Sequence, residues 1–524
     1  MKLIHAVGRE LYAGDQPILL RGFGLGGWFL PEGYMWKLYT KCDRPRRMEA
    51  MIKSLCGEDY ARGFWERYLD SYITEEDIRL IAKEGFNSVR LPLNARHLYE
   101  SKGNQLYLKA EMFARIDRLI KWCKKYKLYV ILDMHGAPGG QTGQNIDDSE
   151  VDHPLLFTEL HYEEELLFLW REIAKRYREE GAVAGYDLLN EPVPNFFRQY
   201  NNKVLPLYRR IIDTIRQVDQ NHMIILEGVH WATDFSIFDA LTRQEASDNM
   251  MLQFHKYWSS PDADSLQEFL KYAQDLNVPL FMGEGGENNC DWYTTVFPLY
   301  ERFHISWSFW SYKKMDCTNS PVTFEVPKGW DRLLRWIDSK ETISRETAIK
   351  IFDNFLECLQ NVRVNERVLC ALKREVPVNI PCEAFDECDI RSTRVQGAQL
   401  RMSEPASLIF ENGRRGSVDY KRYGGEEQPE QENVLLMLQA RDEVSYLLQS
   451  KRNKIRFVIA AQGEGELILS MGLDEVILTI SGKRDYKALL KVAKKERSYL
   501  KVACTAGMVK LDYINTSYPL DTKE

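Results

Sequence analysis

Eight short apolar runs, each followed by a longer amphipathic stretch, fill the first 340 or so residues, and few architectures accommodate that rhythm. The runs cover residues 18–22, 88–91, 129–134, 185–189, 223–226, 250–254, 280–283 and 305–309. Strands buried on both faces read as near-continuous apolar segments such as VILDM and IIL, and this is the texture of parallel strands covered by helices. The stretches between them have helical periodicity and caps. In residues 74–85, Thr74 caps the start with Asp77 three residues on, Ile78, Ile81 and Ala82 form an inward stripe, and Gly85 permits a left-handed exit. Leu166, Trp170, Ile173 and Tyr177 recur at helical spacing before Gly181 and read as a core-facing stripe. The expected fold class is α/β, an eight-stranded (β/α)8 barrel.

After Trp310 the texture changes to a long loop through Pro321 and Pro327 and then a helix over residues 347–359. From about residue 375 helical periodicity mostly stops. Alternating runs such as NVLLMLQA, KIRFVIAA, GELILSM and EVILTI, separated by turn residues, predict an antiparallel sandwich. The division expected is a barrel over 1–374 and a smaller all-β domain over 375–524.

Composition removes several classes of function. With 70 basic against 77 acidic residues the net charge is −7, and no basic stripe is present to gather a phosphate backbone. Clusters such as Lys124-Lys125 and Lys494-Lys495 read as solvated faces. No apolar run approaches the roughly 20 residues of a membrane span, so neither nucleic acid nor membrane is an expected partner. The opening residues, MKLIHAVGRE, reach charged positions before an apolar secretion core forms. The ten cysteines are scattered from Cys42 to Cys504 without paired spacing, and Cys382 and Cys388, the nearest pair, read as ordinary thiols. The expectation is a cytoplasmic protein.

In β/α barrels the reactive groups stand at the carboxyl ends of the strands. Taken in order, the residues closing the predicted strands include Arg90, His135, Asn190-Glu191, His255, Tyr257, Glu284 and Trp310. Two glutamates from opposite strands meet the needs of glycoside cleavage, in which one carboxylic acid protonates the leaving oxygen and one carboxylate attacks the anomeric carbon. That chemistry calls for no cofactor and no metal.

The pieces RGFGLGGW, NSVRLP, ILDMHGAPGG, YDLLNEP, FHKYW, PLFMGEGG and SWSFWSYK, in register with the eight strands, resemble glycoside hydrolase family 5 over residues 17–315. The resemblance implies a retaining β-glycoside hydrolase with Glu191 as acid/base and Glu284 as nucleophile. Asn190 would meet the sugar 2-hydroxyl, and His135, His255 and Trp310 would line the subsite of the reacting sugar. Glu191 must hold a proton near neutral pH, which the negative charge of Glu284 favours, whereas Glu284 must stay ionised beside Arg90, with Tyr257 as a hydrogen-bond donor.

GLGGWFLPEGYMW resembles the exo-β-1,3-glucanase branch, in which a Glu shortly after Gly-Gly-Trp grips the terminal sugar, here Glu32. The loop over residues 136–145 is similar to that branch up to Gln141 and departs from it afterwards. Exo action on short β-glucosides or oligosaccharides is the expectation, with endo-β-glucanase, β-mannosidase or β-diglycosidase as alternatives of the same family. Glu227 and Trp231 read either as aglycone contacts or as structural residues, and Trp28, Trp36 and Trp258 either as sugar platforms or as packing. GMVKLDYINTS resembles the closing strands of family 6 carbohydrate-binding modules. Tyr420, Tyr423 and Tyr446 are candidates there for sugar binding or for the core, and the domain is a candidate dimer contact. Two other classes compete: a non-catalytic sugar-binding barrel, which the paired glutamates disfavour, and an aldolase or isomerase, for which no Schiff-base lysine or phosphate loop stands out.

Overall fold

The computed structural model describes residues 1–103, 105–492 and 497–519. Lys494 and Lys495 lie outside the described residues, as does the side chain of Tyr423. The chain divides into two compact units, the first comprising residues 1–256, 268–285 and 304–364, the second residues 257–267, 286–303 and 365–524.

The first unit is built on a closed barrel. Its strands are β1 (Arg21–Gly24), β2 (Ser88–Asn94), β3 (Tyr129–Gly136), β4 (Val183–Asp187), β5 (Met223–Glu227), β6 (Met250–His255), β7 (Leu280–Gly286) and β8 (Ser306–Trp310), consecutive strands being neighbours around the ring. All eight expected strands are present. Two are displaced: β1 begins at Arg21 because Gln16–Ile18 pairs instead with Glu10–Ala13 in an N-terminal antiparallel sheet, and β4 ends at Asp187. That small sheet closes the amino end of the barrel. Its Ile4 and Leu11, with Leu20, pack on Tyr129, Ile131, Met223, Ile225, Met251 and Phe281 at the starts of the strands. The carboxyl ends are left to build a site.

The helix Glu75–Lys83 starts on a capping box between Thr74 and Asp77, as its sequence requires, and exits through Gly85 at φ +86°. Helix Leu160–Tyr177 buries Leu166, Trp170, Ile173 and Tyr177. The stretch expected as a long loop carries strands Lys313–Met315 and Val322–Phe324 and helix Trp330–Ile337, and the next helix runs over Arg345–Cys358. Trp36 belongs to the aromatic core that this region completes, with ring centroids 4.3 Å from Phe355, 5.1 Å from Tyr68 and 5.7 Å from Trp65. Trp28 is equally buried and donates its indole N–H to the Leu69 carbonyl at 2.7 Å. Both are packing residues, each removing on the order of 150–250 Å² of aromatic surface from water.

The second unit is an antiparallel β-sandwich region with helices Cys290–Arg302 and Glu366–Lys373. KIRFVIAA and GELILSM form one strand, Lys454–Met471, which pairs along most of its length with Arg497–Ser517. The glycines between the two runs do not make a turn: Gly463, at φ +121°, and Gly465 stay in the ladder, where a Cβ on either would meet a backbone carbonyl at 2.4 Å. Tyr420 and Tyr446 are buried, and the Tyr446 hydroxyl donates to the Cys382 carbonyl at 2.6 Å, so both are core residues and not sugar platforms. Each of the ten cysteines carries a free thiol. Among the described residues no helix is long and apolar enough to cross a membrane.

Candidate active site

The carboxyl end of the barrel is organised around one guanidinium. Arg90 was expected to close its strand, but β2 continues to Asn94 and Arg90 lies in its middle, fully buried inside the barrel. A buried cation must be surrounded by acceptors. Its Nε donates to Asp187 Oδ2 at 2.8 Å, Nη1 to Glu284 Oε1 at 2.5 Å, and Nη2 to Asn190 Oδ1 at 2.8 Å and Glu227 Oε1 at 2.9 Å, with Asp133 Oδ1 3.1 Å away. Burial alone would lower the Arg90 pKa, but the charges of Asp133, Asp187, Glu284 and Glu227 outweigh it and hold the pKa well above its usual value. The excess of carboxylates acts in return on its members. Burial, against the pull of Arg90 and reinforced by Glu227 and Glu284, drives Asp133 well upward, and burial with the charge of Asp133 raises Asp187 to about 6.

Glu191, beyond the end of β4, takes φ +44°, a left-handed conformation costly for a side chain of this size, and its backbone N–H donates to Glu227 Oε2 at 2.7 Å. Its Oε1 lies 2.7 Å from His255 Nδ1. A shift of register between Phe254 and His255 sets His255 opposite Glu284 in the β6–β7 ladder. There His255 Nδ1 is 3.7 Å from Glu284 Oε2, and its Nε2 is 3.0 Å from Gln253 and 3.4 Å from Glu227. Burial disfavours the imidazolium, but Glu227 and Glu284 overcome it and raise the His255 pKa well above its usual value. His135 behaves oppositely: burial, with Glu284 favouring and Arg90 opposing its charge, brings its pKa down to about 4. Oxygens of Glu191 and Glu284 and a nitrogen of His255 all lie within 4.8 Å of one another.

Trp310 ends β8 as expected, stacked on His135 with centroids 5.2 Å apart and planes at 7°, and its indole N–H donates to the Tyr34 hydroxyl at 3.0 Å. The GLGG run makes room for it: a Cβ at Gly24 or Gly26 would stand 2.5 or 2.7 Å from the indole. Glu32 is buried, and its Oε2 accepts from Asn145 Nδ2 at 3.4 Å, tying the loop after β1 to the loop after β3. Gln141 braces that second loop by donating to the carbonyls of His135 at 2.7 Å and Asn190 at 2.9 Å. Tyr257, two residues past β6, is half-buried and falls in the second unit, as does exposed Trp258, whose indole N–H donates to the Glu287 carbonyl at 3.1 Å. Glu227 is 0% exposed beneath the site, so it makes no aglycone contact. Trp231 is half-buried in a left-handed segment that also takes in His230 and Ala232.

Asp133, Asp187 and Gln253 went unnoticed as partners of this site. Asp133 and Gln253 stand two residues before His135 and His255, and the period of two that puts each pair on one face of its strand was the signal available. Asp133, His135 and Glu284, or Glu191, His255 and Glu284, would offer three ligand atoms to a metal. In both sets Arg90 already holds Glu284, so a cation there would face a guanidinium.

A closed β/α barrel with two glutamates facing each other within 4.8 Å at its carboxyl end has the architecture of a glycoside hydrolase. The chain belongs to glycosyl hydrolase family 5, whose cellulase model matches residues 54–316. It is 33% identical over 241 residues to a β-xylosidase of Phanerodontia chrysosporium, covering 46% of this chain and 48% of that protein, so the chain spans about half the length of that relative. It is 26% identical over 313 residues to endoglucanase C of Acetivibrio thermocellus, covering 48% and 88% of the two chains. A probable glucan 1,3-β-glucosidase A of Aspergillus fumigatus is 25% identical over 282 residues, covering 52% and 66%.

Proposed function

We propose that the protein is a retaining, exo-acting β-glycosidase of short β-glucosides or β-gluco-oligosaccharides, with Glu284 as nucleophile and Glu191 as acid/base. The observation that carries this reading is the approach of a Glu191 oxygen to within 4.8 Å of a Glu284 oxygen. Retaining enzymes hold their carboxyl groups about 5–5.5 Å apart, whereas inverting ones leave about 6.5–9.5 Å for a water.

In this mechanism Arg90 holds and orients Glu284 through Oε1, and Glu284 Oε2 attacks the anomeric carbon. Glu191 gives its proton to the glycosidic oxygen, and the aglycone leaves. Glu191 then draws a proton from water, which attacks the glycosyl–enzyme bond and returns Glu284 as a carboxylate. Trp310 and His135 form the floor under the reacting sugar, Asn190 meets its 2-hydroxyl, and Glu32 ends the site by taking the hydroxyls of the terminal sugar. Along the chain the catalytic domain is assigned to 1–374 and the sandwich to 375–524, with residues 257–267, 286–303 and 365–374 packing in the second unit. The ten free thiols support a reducing compartment, the cytoplasm.

The test is nitrophenol release from a panel of β-glucoside, β-mannoside, β-galactoside, β-xyloside and β-disaccharide substrates, with Glu284→Gln and Glu191→Gln alongside. One monosaccharide glycoside is expected to turn over with first release of the β-anomer, and Glu284→Gln to lower the rate at least about 10³-fold. Turnover of disaccharide substrates alone would remove Glu32 as the end of the site, and first release of the α-anomer would remove the retaining mechanism.

A further inference from the structure

We propose that Glu227 is the positioning residue for Glu191, its carboxylate holding the left-handed turn that aims the acid/base at the glycosidic oxygen. The inference rests on the acid/base reading of Glu191 given above.

Glu227 is the last residue of β5, is wholly buried, and has its own carbonyl held by the Tyr208 hydroxyl at 2.9 Å. Its two oxygens face different groups. Oε2 accepts the Glu191 backbone N–H at 2.7 Å. Oε1 accepts from Arg90 Nη2 at 2.9 Å and from Gln253, with His255 Nε2 at 3.4 Å. A non-glycine residue at φ +44° persists only where its surroundings over-determine it, and the hydrogen bond that the strained residue's own amide donates to Glu227 fixes it there. A second route runs through His255, which meets Glu227 on one ring nitrogen and Glu191 Oε1 on the other.

Every group that meets the Glu227 carboxylate is a donor or, in His255, a ring nitrogen able to donate. An ionised carboxylate, which only accepts, satisfies all of them. An amide does not: turned either way, the NH₂ of a glutamine would face the Glu191 N–H or the Arg90–Gln253 pair. Two donors, one of them a cation, draw the amide oxygen toward Arg90 and Gln253 and leave the NH₂ against the Glu191 N–H, so Glu227→Gln keeps size and shape while releasing the turn.

Loss of acid catalysis is felt in proportion to the leaving group's need for a proton, and a general loss of structure is not. The experiment measures kcat/KM for wild type, Glu227→Gln and Glu191→Gln on 2,4-dinitrophenyl and phenyl β-glycosides of the accepted sugar. Glu227→Gln is expected to lose about 100-fold on the phenyl substrate, the scale of a misplacement of about 1 Å, and no more than about threefold on the dinitrophenyl one. Glu191→Gln is expected to show the same ordering more steeply. Equal losses on both substrates for Glu227→Gln, or no loss, would overturn the proposal while leaving Glu191 in place. Equal losses for Glu191→Gln itself would remove the acid/base reading, and the role of Glu227 with it. If Glu227→Gln fails to fold, Glu227→Asp, whose carboxylate stops one methylene short, decides the matter: about 10-fold more loss on the phenyl substrate supports the proposal and equal loss overturns it.

Discussion

Replacing Arg90 by lysine keeps one positive charge in the barrel and removes the fork that distributes it. The three oxygens around Nη2, Asn190 and Glu227 accepting at 2.8 and 2.9 Å and Asp133 in ion-pair contact at 3.1 Å, cluster about one point that an ammonium with three protons can occupy. The bonds from Nε to Asp187 at 2.8 Å and from Nη1 to Glu284 at 2.5 Å then have no donor. Charge-assisted hydrogen bonds contribute about 1.5–3 kcal/mol each, so Arg90→Lys should lose about 3–6 kcal/mol of stability. The assay is urea unfolding followed by tryptophan fluorescence, which reports mainly on the first unit, where ten of the twelve tryptophans lie. Arg90→Met, which leaves four carboxylates without their counter-charge, should lose more at neutral pH and regain part of it in acid as they protonate. A stability of Arg90→Lys within about 1 kcal/mol of wild type would refute the argument that fork geometry, beyond charge, balances this cluster.

Two further predictions concern the barrel. His135 titrates near 4 in the folded protein and near 6.5 when unfolded, so below 6.5 the unfolded chain binds a proton that the folded one does not. Its contribution is complete above about 6.5 and falls by about 3 kcal/mol as pH drops to 4; His135→Gln should flatten this acid limb in unfolding experiments, and parallel curves would contradict it. A Cβ at Gly22 would stand 1.8 Å from the Ser88 carbonyl oxygen across the β1–β2 ladder, so Gly22→Ala should lose at least about 3 kcal/mol or fail to fold, and a near-wild-type unfolding midpoint would contradict the close approach.

The barrel was legible because strands such as YVILDM and MIILE are near-continuous apolar runs, and burial on both faces leaves that mark in the sequence. The N-terminal sheet was not legible because IHAV, ELYA and QPI are only three or four residues long, too short for an alternation to stand out from a loop. Trp36 was ambiguous since an indole serves equally in a core or a sugar platform, and only the rings of Tyr68, Trp65 and Phe355 around it decide. The same holds for Tyr446, placed in the core by a hydrogen bond to a carbonyl 64 residues away.

The amino-acid sequence by itself determined the barrel, its helix caps and the pair of glutamates at the tips of β4 and β7, since each depends on local periodicity or on a motif within a few residues. Tertiary structure alone decided what those glutamates touch. Arg90, Glu227 and Glu284 come from three strands and Glu191 from the segment after a fourth, up to 194 residues apart, and the contacts that hold them exist only once the barrel has closed. Glu227 shows the difference most plainly: as a strand-end carboxylate it could as well have met a ligand, and burial among donors turned it inward onto the backbone N–H of Glu191.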